Sequence, residues 1–136
     1  MDHVKKGKKS RSQGNAFELR VRKELESKGW IVFKNSNNLK DGEYIISKPK
    51  FNPVTKQLMM MSGGFPDFLC IHKETKELLF VESKMTGVLD KQEKETCDWI
   101  NKELGQDVFI AYKVKIKNKV NVAFKTYKNG GDYTKV

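Results

Sequence analysis

The stretch FPDFLCIHKETKELLFVESK, residues 65–84, decides the fold. Two apolar runs, 65–72 and 77–84, flank the short polar link KETK, which is typical of two antiparallel strands joined by a hairpin. Side chains alternate between the two faces of a strand, so every second residue shares a face. A symmetric turn at this link predicts three facing pairs on one face: Ile71–Leu78, Leu69–Phe80 and Asp67–Glu82.

The predicted ladder of apolar pairs thus ends in two carboxylates. Facing residues have Cβ atoms roughly 5 Å apart, so Asp67 and Glu82 would repel each other. A divalent cation between them removes the conflict, and Mg²⁺ commonly takes one or two carboxylates and keeps water or substrate phosphate as its other ligands. Lys84 follows on the same face and would stand beside a metal-bound water. The alternative is a Pro-Asp that starts a strand and an exposed Glu-x-Lys pair.

The bulk composition limits the class of protein. A chain of 136 residues, 38% apolar and 32% charged, is expected to form one soluble domain with a substantial core. The sequence has no apolar run near the length of a membrane span and no signal-peptide core. Cys70 and Cys97 are expected to be buried reduced thiols, too few for a zinc site. We therefore expect a cytoplasmic protein of a prokaryote or a virus.

Charge is concentrated at the two ends of the chain. The net charge is +10, with +4 in residues 1–14 and +6 in residues 113–136, so the middle is balanced. Binding to phosphate is the leading interpretation, because cations that neutralise phosphates release counterions. Solubility of flexible ends is the alternative.

The remaining chain divides into predicted elements. Residues 1–13 are expected to be a flexible basic arm, followed by a single domain over 14–136. Apolar residues at a spacing of four predict a helix over 15–28, with Glu18 at the edge of its apolar face. Further elements are strands 30–34, 107–114 and 119–124, a helix over 89–105 with Leu89, Thr96, Ile100 and Leu104 on one side, and a polar loop over 35–43.

Two features concern how these elements are connected. The strand, helix, strand order after residue 77 predicts a right-handed crossover between parallel strands. Residues 44–48 and 57–61 are either two strands around a turn or an excursion that covers the site. The whole segment 35–61 is expected to contact DNA or a second subunit.

Taken together, Pro66-Asp67 and Glu82-Ser83-Lys84, between helices that carry Glu18 and Gln92, resemble the PD-(D/E)XK nuclease superfamily. The resemblance covers about residues 14–114 and is greatest to its VRR-NUC branch and to archaeal Holliday-junction resolvases. It implies an α/β fold with a restriction-endonuclease-like core, a central mixed β-sheet flanked by α-helices in the order αβββαβ. It also implies hydrolysis of phosphodiester bonds that depends on Mg²⁺, with Mn²⁺ as a substitute.

The resemblance implies a role for each matching residue. Asp67 and Glu82 would be metal ligands, with the Ser83 carbonyl as a further ligand. Lys84 would orient or deprotonate the attacking water and stabilise charge in the transition state. Glu18 would be an additional acidic ligand, and Gln92 would position Lys84 or the substrate phosphate. A surface charge at Glu18 and an ordinary solvated Gln92 are the alternatives.

The expected substrate is branched DNA, with the four-way junction first. Rival expectations are a restriction- or repair-type nuclease on linear or flapped DNA, and a DNA-binding protein without catalysis. Symmetric cleavage of a junction needs two sites, so we expect a homodimer, with Trp30, Phe33, Trp99 or Met59–Met61 at its interface. Basic residues expected to contact DNA are Lys8, Lys9 and Arg11 in the arm, and Lys113 and Lys115, extended by Lys117 and Lys119 along one strand face. The alternative for the strand is a solvated edge whose lysines protect it against aggregation.

Overall fold

The structure is a computed structural model that describes the backbone of residues 3–46, 50–59, 63–128 and 132–135, and the side chains of residues 12–46, 52–57 and 63–127. The helices are α1 (His3–Ser27) and α2 (Lys91–Trp99), the second of which continues into a π-helical turn (Ile100–Leu104). The strands are β1 (Trp30–Lys34), β2 (Asn37–Lys40), β3 (Glu43–Ile46), β4 (Lys50–Asn52), β5 (Gln57–Met59), β6 (Phe68–His72), β7 (Leu78–Ser83), β8 (Val108–Ile116), β9 (Lys119–Lys128) and β10 (Asp132–Lys135).

A six-stranded mixed sheet organises the chain, with strand order β1-β6-β7-β8-β9-β10. β7 and β8 are parallel, and each of the other neighbouring pairs is antiparallel. The parallel pair is joined through α2, as the strand, helix, strand order predicts. The expected α/β class with a mixed sheet and helices is therefore confirmed.

The hairpin register is confirmed as well. Leu69 pairs with Phe80 and Ile71 with Leu78, so the next facing positions on that face are Asp67 and Glu82. The pairing of β1 with β6 places β7 between β6 and β8. The end of the hairpin that carries the carboxylates consequently lies inside the sheet rather than at its edge.

Two apolar clusters hold the sheet between the helices. On one face, Phe17, Val21 and Leu25 of α1 pack with Cys70 and Val81. On the other face, a second cluster packs residues of the α2 region against β7, β8 and β9. Its buried members are Phe80, Leu89, Cys97, Ile100, Val108, Ile110 and Tyr127. Cys70 and Cys97 are both buried free thiols, one in each cluster. The central strands are therefore buried on both faces, by α1 on one and by α2 on the other.

Helix α1 differs from expectation at its beginning. It starts at His3, so the segment 1–13 expected to be a flexible arm is helical from that residue. Lysine, arginine and glutamine are good helix formers and no proline interrupts this segment, which lets the amphipathic helix over 15–28 extend backwards. The helix ends at Ser27, and Gly29 then takes a φ of +94°.

Helix α2 begins with a capping box and ends in a wider turn. The Asp90 side chain accepts from the Glu93 backbone, and the Glu93 side chain accepts from the Asp90 backbone. Leu89, Thr96 and Ile100 are buried as expected, but Leu104 is 43% exposed. The π-helical turn places more residues in each turn than an α-helix, so Leu104 rotates away from the sheet.

The segment that follows β1 is not a loop. β2 and β3 form a hairpin whose tip is Asp41-Gly42, with φ angles of +51° and +78°. An Asp-Gly dipeptide is a strong signal for a two-residue hairpin turn, and it was the signal that the prediction of a polar loop missed. β4 pairs with β5 in a second hairpin, so the strands expected at 44–48 and 57–61 pair with other partners.

The basic end of the chain forms a long hairpin. β8 and β9 pair over their full length and turn at Lys117-Asn118, where both φ angles are positive. Lys117 therefore lies in the turn and Lys119 on the next strand, so the expected single row of four lysines is wrong. Lys113 and Lys115 do share one face of β8. No helix of the described residues is long and apolar enough to cross a membrane.

Candidate active site

A cavity of about 590 Å³ opens at the end of the β6–β7 hairpin. α1, β1, the 63–67 loop, β7 and the start of α2 contribute to its walls. It brings together four residues singled out in the sequence, namely Glu18, Asp67, Glu82 and Gln92. Three unpredicted charged residues also line it: Lys34, Asp90 and Glu93. Lys84 reaches the same region through its contact with Glu93.

Asp67 and Glu82 are held against each other by backbone and side-chain hydrogen bonds. The backbone N–H of Asp67 donates to Oε1 of Glu82 at 2.9 Å. Oδ2 of Asp67 accepts from the backbone N–H of Ser83 at 2.9 Å and from its hydroxyl at 2.7 Å. Glu82 is only 6% exposed. The two carboxyl groups are thus fixed by neighbouring strands before any ligand arrives.

Burial first, and then the charge of Asp67, raises the pKa of Glu82 from its ordinary value of 4.5 to about 10. At neutral pH and without a cation, the protonated form of Glu82 is therefore favoured. A divalent cation between the two groups would displace that proton and permit both carboxylates to ionise. The facing pair is thus suited to a hard cation with oxygen ligands.

The stability of the metal-free protein should report this proton. Between pH 4.5 and about 10, Glu82 binds a proton in the folded protein but releases it in the unfolded chain. The contribution of Glu82 to the free energy of unfolding is therefore full below pH 4.5 and decreases as the pH rises towards about 10. Glu82→Gln removes this dependence. We expect the free energy of unfolding of the variant, relative to the wild type, to rise by at least about 1 kcal/mol from pH 5 to pH 8. Urea unfolding in EDTA measures it, and a flat difference contradicts the buried proton.

Lys84 is held by Glu93, a residue that the sequence analysis did not single out. Nζ of Lys84 donates to Oε2 of Glu93 at 2.6 Å, while Oε1 of Glu93 accepts from the backbone of Asp90. Burial lowers the pKa of Lys84, but the hydrogen bond and charge of Glu93 outweigh it and the pKa is raised. One glutamate therefore caps α2 and fixes the lysine as a cation. Its place as the third residue after an N-cap aspartate was the available signal.

Glu18 is in contact with Lys34 at the mouth of the cavity. Nζ of Lys34 also lies over the Phe68 ring, 5.5 Å from its centroid. Glu18 thus shares the cavity with the carboxylate pair, but its charge is compensated by a cation from β1. Lys34 was missed because only the pairing of β1 with β6 brings it to this end of the sheet.

Asn35 organises the loop that carries Asp67. Its backbone N–H donates to the Asp67 carbonyl at 2.8 Å, and its side chain donates to the Pro66 carbonyl at 2.7 Å. The Tyr44 hydroxyl donates to the Phe65 carbonyl at 2.7 Å, beside a cis Phe65–Pro66 peptide bond. The β2–β3 hairpin, which supplies Tyr44, is therefore part of the support of the site.

Gly64, in the 63–67 loop, lies against the backbone of Asn35 and Asn37, which follow β1. A Cβ at this position would come within 2.5 Å of the Asn37 nitrogen and 2.7 Å of the Asn35 carbonyl oxygen. We expect Gly64→Ala to destabilise the fold by about 1–3 kcal/mol, because backbone atoms must move. Gly63→Ala is the matched control, since its Cβ would meet only the flexible Lys34 side chain at 3.5 Å. Equal melting temperatures for the two variants would contradict the predicted clash.

The candidate metal ligands are the two carboxylates of Asp67 and Glu82 rather than a larger set of side chains. Among the described residues, no group of three or more His, Cys, Asp and Glu side chains is arranged to hold a metal ion. Two carboxylates nevertheless suffice for Mg²⁺, which keeps waters and phosphate oxygens as its other ligands. Asp67 and Glu82 fit that requirement because they converge on one cavity and their negative charges need compensation.

The other predicted functional residues fall at several places. Gln92 is exposed on the first turn of α2 and lines the cavity. Lys113 lines a cavity beside α1 that Gln92 does not reach, and Lys115 follows Lys113 on the same face of β8. The side chains of Lys8, Lys9 and Arg11 lie outside the described residues.

Of the expected interface residues, Phe33 is 49% exposed on an edge strand. Trp30 packs edge-on against His72, and Trp99 packs against Tyr44, so both rings have partners within the chain. The side chains of Met59–Met61 lie outside the described residues. Comparison of the chain with protein-family models, curated proteins and solved structures found no match.

Proposed function

We propose that this chain is a metal-dependent, structure-selective DNA endonuclease, with a four-way junction or other branched DNA as its substrate. The observation that carries the proposal is the buried Glu82 facing Asp67, with Lys84 beyond it at the end of the same strand. A protein that only bound DNA would gain nothing from two facing carboxylates close to phosphates, because they repel the ligand unless a cation is present.

The order of the elements supports a restriction-endonuclease-like core. If β2–β5 are set aside as an insertion, the remaining elements follow the order αβββαβ that the PD-(D/E)XK resemblance implies. These elements are α1, β1, β6, β7, α2 and β8. The acidic residues would then occupy the ends of the two central hairpin strands. The long β8–β9 hairpin, which carries Lys113, Lys115 and Lys119, extends the sheet of this core beyond β8.

Each residue of the site has a chemical task in this proposal. Asp67 and Glu82, with the Ser83 carbonyl, would hold Mg²⁺ or Mn²⁺, which supplies Lewis acidity and a water of lowered pKa when bound. Lys84 would stabilise the charge that develops on the phosphate, and its ion pair with Glu93 favours this electrostatic role over that of a base.

The peripheral residues would act on the substrate. Gln92 would orient the scissile phosphate at the start of α2, where it lines the cavity. Glu18 would join the ligand set once an incoming phosphate draws Lys34 away from it. Phosphoryl transfer depends mainly on positioning and electrostatics, so groups fixed in this way contribute directly to rate.

Cleavage of both strands of a junction would use a homodimer, because each chain would contribute the one site that Asp67 and Glu82 form. Sedimentation of the protein with and without junction DNA tests the assembly. A monomer at every concentration, free and bound, would remove the dimer from the proposal but would leave the nuclease.

The function is tested with end-labelled DNAs: a four-way junction, a flap, a nicked duplex and a linear duplex. Each is incubated with Mg²⁺, Mn²⁺ or EDTA and with wild type or Asp67→Ala. Paired cuts that are confined to the junction, require metal and disappear in the variant are the expected result. Metal-dependent cuts in flapped or linear DNA would replace the substrate class. Tight binding without any cut would leave a DNA-binding protein.

A further inference from the structure

A second cavity, of about 450 Å³, lies between α1 and the β8–β9 hairpin. Its polar lining residues are Gln13, Arg20, Thr86 and Lys113, and none of the described residues that line it is acidic. We call it the cationic cavity. Its lining carries two positive charges. The cavity described above, which contains Asp67 and Glu82 and which we call the carboxylate cavity, has walls that carry mainly acidic groups.

The cationic cavity adjoins the carboxylate cavity along the chain and across α1. Met85 and Thr86, which line it, directly follow Lys84. Residues on one side of α1 line the carboxylate cavity, at Asn15 and Glu18, while Ala16 and Arg20 line the cationic one. The two cavities therefore lie on the two sides of α1, and Lys84 and Met85 connect them along the chain.

The two cations are positioned but not neutralised. Nη1 of Arg20 donates to the Val120 carbonyl at 3.1 Å, which anchors the guanidinium to β9 and leaves its other donors for a ligand. Lys113 projects from the face of β8 that α1 covers. The ion pairs among the described residues are formed by other cations, namely Arg22, Lys28, Lys34 and Lys84.

We infer that the cationic cavity is a phosphate subsite, in which Arg20 and Lys113 bind a backbone phosphate of the DNA on the other side of α1 from the carboxylate pair. Arginine offers a planar fork of donors that matches phosphate oxygens, and lysine adds a point charge. Gln13 and Thr86 are the other polar side chains of the lining, whose apolar part consists of Ala16, Phe17, Met85 and Val120. This subsite rests on the proposed function, and it would extend the contact of the protein with DNA beyond the carboxylate pair.

The test measures binding separately from cleavage. Anisotropy of labelled junction DNA is titrated with the full chain in Ca²⁺, which fills such sites with little chemistry, at several salt concentrations. The variants are Arg20→Gln, Lys113→Gln and their combination. Lys73→Gln, the same charge change in the exposed turn at the other end of the hairpin, is the matched control.

We expect each single substitution in the subsite to weaken binding about five- to tenfold at ~0.1 M salt and to lower the slope of log affinity against log salt by about 0.9. The double variant should lower the slope by about twice that amount. Cleavage at saturating protein should stay within about threefold of the wild type, because the subsite binds rather than reacts. Lys73→Gln should match the wild type.

Each other result overturns the inference in a distinguishable way. Wild-type affinity and salt slope in the subsite variants, with metal-dependent cleavage intact, would discard the subsite and keep the nuclease. Unchanged binding with slow cleavage at saturation would move Arg20 and Lys113 from binding to chemistry. A wild-type protein that neither binds nor cuts DNA would overturn both proposals together.

Discussion

Replacing Glu82 with glutamine should abolish the response of the protein to divalent metal. Glutamine keeps the size of the side chain and an acceptor for the Asp67 backbone, but it cannot supply the second negative charge. We expect metal-dependent cleavage to fall by about 10³-fold or more, equivalent to about 4 kcal/mol in the barrier. DNA binding in EDTA should be unchanged, because the neutral side chain resembles the protonated carboxyl group of the wild type.

Unfolding measurements separate loss of metal from loss of fold. At a Mg²⁺ concentration 100 times the dissociation constant, the wild type should gain about 2.7 kcal/mol of stability, whereas the Glu82→Gln protein should gain none. Glu77→Gln is the matched control, because it makes the same change at an exposed position just before the same strand. Equal stabilisation of the Glu82→Gln variant and the wild type by Mg²⁺ would place the metal elsewhere.

The second large effect is expected at Lys84. Lys84→Met removes the ammonium group but keeps much of the packing of its stem, and single-turnover cleavage should fall about 10²- to 10³-fold at unchanged DNA affinity. Glu93→Gln should be intermediate, with a loss of about tenfold, because the lysine remains but its charged partner does not. The rates are measured at saturating protein and Mg²⁺.

Glu93 allows its two tasks to be separated. Glutamine can still accept from the Asp90 backbone and complete the capping box, so Glu93→Gln should retain wild-type stability. Glu93→Ala loses both contacts and should be less stable by about 0.5–2 kcal/mol. If the two variants cut DNA at the same rate as the wild type, Glu93 is a helix cap only and does not position Lys84.

The hairpin and the crossover could be predicted because they depend on short-range patterns. A symmetric link between 65–72 and 77–84 leaves one register, and that register alone brings Asp67 to Glu82. The helix between β7 and β8 likewise requires a parallel pair. These two local features define the centre of the candidate site.

The rest of the site depends on contacts between distant parts of the chain. Lys34 reaches the cavity, and Asn35 reaches the loop that carries Asp67, because β1 lies beside β6, some forty residues later, and no local pattern specifies that pairing. Leu104 was misplaced because a π-helical turn changes the periodicity on which the prediction depends. Glu93 looked like one charge among several on a solvated helix, and only the fold shows that it meets Lys84.

The tie between Asn35 and the 63–67 loop has a consequence for how this fold can vary. The chain at the start of β2 and the chain after β5 are hydrogen-bonded to each other. The Gly64 N–H donates to the Asn35 carbonyl, and the Phe65 N–H donates to the Asn37 carbonyl. Closing a loop that is twice as long costs only about 0.6 kcal/mol more, so the segment between β3 and Gly64 can be lengthened or exchanged without moving Asp67, provided that the β2–β3 hairpin keeps Tyr44 on the Phe65 carbonyl. The surface around the cavity could thus diversify in an inserted segment while the Asp67–Glu82 pair stays unchanged.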